Sequence, residues 1–112
     1  MEKITQRAVA FGDVSPMPAS PTTYVGYLIG TAQTKESVDK TTGEIVPAKT
    51  ITVLYLKDKK GQYYATRSEG LTRQFSDLSA EELDSIPELT LQVKEKDLGG
   101  GRRVKRFVEV SL

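Results

Sequence analysis

Two runs of period-two alternation, separated by three glycines, most constrain what this chain can fold into. Residues 88–96, ELTLQVKEK, set Leu89, Leu91 and Val93 against Thr90, Gln92, Lys94 and Lys96. Successive side chains of a strand point to opposite faces, so this is a strand with one face buried and one wet. Residues 102–112 alternate too, with Val104, Val108, Val110 and Leu112 on one side and Arg103, Lys105, Phe107 and Glu109 on the other. The valines are expected to face the core and Phe107 to lie outside it. Burying Phe107 instead exposes three valines for one ring, a loss at about 25 cal/mol per Å². Leu98-Gly99-Gly100-Gly101 joins the two runs as a hairpin, since glycine reaches positive φ without steric cost.

The upstream runs are also those of strands. TYVGYLIGTAQT (23–34) and KTITVLYLK (49–57) are rich in β-branched and aromatic residues. The second has apolar residues on both faces, Ile51, Val53 and Tyr55 against Leu54 and Leu56, as a central strand requires. Gly26 and Gly30 share a face of the first, which suggests a sharp bend or coil. Between these runs, residues 35–49 form a long polar β-arm with a turn at Asp39–Gly43. Lys57–Gly61 is a tight turn into QYYATR (62–67), and an amino-terminal strand is expected over 3–12. One short helix is predicted, from the capping box Ser79-Ala80-Glu81-Glu82 to the stop at Pro87. The order β-β-β-β-α-β-β points to a mainly β fold, a small OB-type Greek-key barrel with one short helix. The alternative is an open antiparallel sheet or sandwich. At 112 residues, without a linker-like stretch, the chain is expected to form one domain.

Composition closes most routes to catalysis. The chain has no cysteine and no histidine, hence no thiol nucleophile, zinc-thiolate site, Ser-His-Asp triad or imidazole ligand. Glu81, Glu82 and Asp84 all lie at one helix start, where capping accounts for Glu82, and the triple glycine lacks the Lys-Ser/Thr of a phosphate loop. No metal, cofactor or enzymatic activity is expected. The first twenty residues carry no continuous apolar run of the kind that marks export, and no stretch is apolar enough to span a bilayer, so a cytoplasmic location is expected.

The net charge of +1 conceals an asymmetry. Residues 69–98 hold eight acids against three bases, a charge of −5, and the 13 bases and 7 acids elsewhere amount to +6. A polyanion needs only one positive face. Cations cluster as Lys57, Lys59 and Lys60, followed by Tyr63, Tyr64 and Arg67, and again as Arg102, Arg103, Lys105 and Arg106 around Phe107. Bases stack on aromatic rings while cations follow the phosphates, which is how single strands are gripped without sequence readout. Tyr63 and Tyr64 are adjacent, so at most one faces a ligand, whereas Tyr24, Tyr27 and Tyr55 are expected in or near the core. Arg7, in the amino-terminal strand, joins the candidate set.

The whole chain, through TYVGYLIGTAQTKESVDKTTGEIVPAKTITVLYLKDKKGQYYATR and its basic last strand, resembles the small single-stranded DNA-binding proteins of Vibrio filamentous phages, which are similar in role to the filamentous-phage gene V protein. The resemblance implies an OB-type homodimer that coats replicating single-stranded phage DNA cooperatively in the host cytoplasm. It also implies that the arm contacts DNA, with Lys35, Lys40 and Lys49 as its cations. Residues 35–49 hold no aromatic, a departure from the family's arm. The residues alone leave DNA and RNA both open as partners, and an alternative function as a phage assembly subunit that pairs through exposed strand edges. A small open barrel leaves strand edges to be paired or blocked, so a homodimer is expected, with the apolar parts of 86–93 and 104–112 as its interface.

Overall fold

The two runs richest in β-branched and aromatic residues become the centre of the structure. The computed structural model describes residues 1–110; Leu112, assigned above to the valine face, lies outside the described residues. Its elements are β1 (Glu2–Lys3), α1 (Gln6–Phe11), β2 (Val14–Pro16), β3 (Thr22–Gln33), β4 (Ser37–Val38), β5 (Ile45–Val46), β6 (Thr50–Asp58), β7 (Tyr63–Thr66), α2 (Glu69–Ser76), α3 (Ala80–Ser85), β8 (Leu89–Gly99) and β9 (Arg102–Glu109). The fold is mainly β. Strands pair in the order β2-β7-β6-β3-β8-β9, with β1 added to β3, and the sheet curls into a half-barrel. β6 is central, as its two apolar faces require.

Register decides which side chains meet. β3 and β6 pair antiparallel from Tyr24↔Asp58 to Gln33↔Thr50, with one extra residue on β3 between Tyr24 and Gly26. This bulge turns Tyr24 and Tyr27, three residues apart, to the same side. There they meet Leu54 and Leu56 of β6, Leu71 and Phe75 of α2, and Leu83 of α3. Tyr64 stands edge-on to Tyr24 at 6.1 Å and donates its hydroxyl to buried Asp58 at 3.0 Å. The other Asp58 oxygen accepts from the backbone N–H groups of Lys60 and Gln62, each at 2.9 Å, which ties the β6–β7 turn to the core.

Both predicted hairpin features are present. Asp39 organises the arm turn, accepting from the amides of Thr41 and Thr42, bonds that hold its carboxyl below the ordinary range. β4 and β5 pair behind it through Ser37↔Val46 and Val38↔Ile45. At the other hairpin Gly99, Gly100 and Gly101 all have positive φ, 85°, 61° and 79°, where a Cβ would be strained.

Three expectations are corrected. The amino-terminal strand over 3–12 is confined to Glu2–Lys3, and Gln6–Phe11 is a helix. The Thr5 hydroxyl caps it, accepting from Ala8 at 3.2 Å, and Gln6, Arg7 and Ala8 are good helix formers. The described residues hold three helices rather than one, because Ser68 caps α2 and Leu71, Thr72 and Phe75 form its buried stripe. Eight residues of mixed polarity show that stripe weakly in sequence. Finally, Phe107 belongs to the core, 8% exposed and edge-on to Phe75 at 5.5 Å, while Val108 is 40% exposed. The hairpin register pairs Phe107 with Val93 and Glu109 with Leu91, so Phe107 shares the face of Leu89, Leu91 and Val93 that α2 covers. The three-valine comparison fails because the hairpin runs on past the core, where neither face is dry.

α2 also closes the sheet's edge. The Gln74 amide donates to the Phe107 carbonyl at 3.2 Å, and its oxygen accepts the Phe107 N–H at 2.7 Å. One side chain thus takes the place of a neighbouring strand. No helix among the described residues is long and apolar enough to cross a membrane.

Candidate nucleic-acid interface

The sheet has a second apolar face, and it is covered differently. Opposite the core, register places Gly26, Leu28, Gly30 and Ala32 of β3 beside Lys57, Tyr55, Val53 and Ile51 of β6, with Tyr63 and Ala65 of β7 next to them. The amino-terminal segment lies over part of this face. A Cβ on Gly26 would come within 3.1 Å of the Ile4 side chain, and one on Gly30 within 3.3 Å of the Gln6 amide. The two glycines that share a face therefore let another segment approach closely.

The remaining part of the face is open. Ala32, Val53, Tyr55 and Ala65 floor a cleft of about 1060 Å³, bounded by Val9 and Val14 on one side. On the other side β7 and β9, which do not pair, bring Arg67 and the stretch Arg103–Lys105 to its rim. Among the described residues Glu69 is the single acid lining it. Among the described residues neither Arg67 nor Lys105 has a carboxylate within salt-bridge distance, and Arg103 reaches Glu95 at 3.5 Å. Three cations around a half-buried tyrosine form a cleft suited to an anionic ligand that also carries flat apolar groups.

No family model matches this chain, and comparison with curated proteins and with solved structures finds no match. The site is therefore described from its own geometry.

The other predicted residues are scattered. Lys57 and Tyr63 face a cavity of about 90 Å³ beneath β1 and α1, and Lys57 pairs with Glu2 at 3.7 Å. Tyr64 is turned to the core, where burial and then the Asp58 carboxylate push its hydroxyl above the ordinary tyrosine range. Lys59 and Lys60 sit at the β6–β7 turn, in a separate depression, with Lys59 bound to Glu88 at 2.8 Å. Lys35, Lys40 and Lys49 are exposed on the arm. Arg102 and Arg106 are exposed on the hairpin, Arg106 opposite Lys94 on the face away from Arg103 and Lys105. Arg7 is exposed on α1. Phe107, expected outside, is not available to any ligand. Glu81 and Glu82 occupy the first turn of α3, where Ser79 accepts from the Glu82 N–H at 3.1 Å.

Two residues escaped the sequence reading. Tyr55, expected in or near the core, is half-buried, but on the second face, where its parity with Val53 against Leu54 and Leu56 places it in the cleft floor. Phe11, 87% exposed, was hidden in what read as a strand.

Proposed function

We propose that this protein binds single-stranded DNA without sequence preference, using the cleft between β7 and β9. One observation carries the reading: Arg67 and, distant from it in sequence, Arg103 and Lys105 of β9 converge on a cleft floored by Tyr55. Guanidinium and ammonium groups neutralise phosphates, and an aromatic floor takes bases of any identity because every base has a π-face. The OB-type reading is supported by connectivity. β3 is shared by β6 and β8, a β3-β6-β7 meander leads through helices to a β8–β9 hairpin, and the cleft lies on the central strands as in barrels that take oligonucleotides. The arm, whose Lys35, Lys40 and Lys49 are balanced by Glu36, Asp39 and Glu44, and the hairpin, with Arg102 and Arg106, would offer further cations to a bound strand. The resemblance to filamentous-phage proteins adds the biological setting, a homodimer coating replicating phage DNA in the host cytoplasm. A second copy would pack on the outward residues of β9, where Val108 is 40% exposed.

The test is fluorescence anisotropy with labelled single-stranded and duplex oligonucleotides across a salt series. Preferential single-strand binding is expected, with log K falling by about 0.7 per phosphate contact against log salt. A flat salt dependence, or equal affinity for duplex, overturns the reading.

A further inference from the structure

Phe11 is the most exposed large apolar side chain among the described residues, at 87%. It closes α1, whose end is tied down by the Gly12 N–H donating to the Ala8 carbonyl at 3.0 Å. The helix seats on the sheet through Ala8 and Val9, and Val9 and Val14, on either side of Phe11 in sequence, both line the cleft. Arg7 is exposed one turn before Phe11. Residues four apart share a helix face, so α1 presents a cation and a bare ring together on its outer side, turned away from Val9 and the cleft wall. A ring left in water adds little to folding, and alanine would serve the helix better.

We infer that Phe11 stacks on a base, and Arg7 holds a phosphate, of a single DNA strand leaving the cleft past α1. The inference rests on the single-strand reading and lengthens its path, from Arg103 and Lys105 across Tyr55 to Arg7 and Phe11. The charge of Arg7 selects a polyanion, and the adjacent ring selects one with unpaired bases, since duplex bases are already stacked.

The chain contains no tryptophan, so Phe11→Trp creates a single indole reporter at this position. Titration with oligo(dT) is expected to quench its emission in step with the anisotropy of a labelled oligonucleotide. Phe11→Ala is expected to weaken binding by roughly 5–150-fold, the range for one lost base stack, with the melting temperature and the salt slope unchanged. Binding by anisotropy with unaltered F11W emission and full F11A affinity overturns this inference and leaves the cleft reading intact. No binding by the wild-type protein overturns both.

Discussion

The two faces of the central strand β6 have similar apolar content and opposite fates. Leu54 and Leu56 are covered by α2, which inserts Leu71 and Phe75 and leaves no opening. Val53 and Tyr55 are covered by a short amino-terminal segment that reaches across the glycine-lined part of β3 and stops. A closed face is a core and a half-closed one is a cleft. The difference lies in the covering element, not in the strand.

The largest effect that tests this contrast is on the closed side. Phe107→Ala is expected to cost about 3–5 kcal/mol of stability in urea denaturation, because its ring fills the space against Phe75. The remaining folded protein should keep its DNA affinity. A variant as stable as wild type would return Phe107 to the surface and break the contrast.

On the half-closed side the loss should appear in binding. Tyr55→Ala is expected to weaken single-strand affinity by about 1–3 kcal/mol, with a smaller fall in stability than Phe107→Ala causes. Equal affinity with a large stability loss would make the second face a core as well.

A third test uses pH. Burial raises the Tyr24 hydroxyl from its ordinary value of 10.0 to about 12. In the unfolded chain it ionises near 10, whereas the folded protein holds it neutral to about 12. Its contribution is therefore complete below pH 10 and is lost as pH rises from 10 to about 12. Tyr24→Phe should flatten this part of the stability profile, measured as denaturation midpoint against pH; an unchanged alkaline slope would show that Tyr24 is not closed off. The smallest expected effect is on the salt slope. Arg67→Ala and Lys105→Ala should each reduce it by about 0.7, whereas Lys59→Ala, already paired with Glu88, should leave it nearly unchanged.

Much of the β framework was legible because its signals are local. The hairpin, the arm turn at Asp39–Gly43, the central placement of β6 and the cap of α3 each depend on residues within one or two turns of chain. α2 was not, since its buried stripe of Leu71, Thr72 and Phe75 carries meaning only against Phe107 and β6. The cations of the cleft were recognised as residues but not as a group. Arg67 and Lys105 are far apart in sequence, and the approach of β7 to β9 brings them to one rim.

Alternation by itself determined that Arg103, Lys105, Phe107 and Glu109 share one side of β9 and that Val104 and Val108 share the other. Only the tertiary structure decided which side is dry. Period two is symmetric between faces, so the choice rests with whatever packs above them, here α2 with Leu71 and Phe75. The same holds for Tyr55: its side of β6 was written in the strand pattern, and its place in an open cleft depends on where the amino-terminal segment ends.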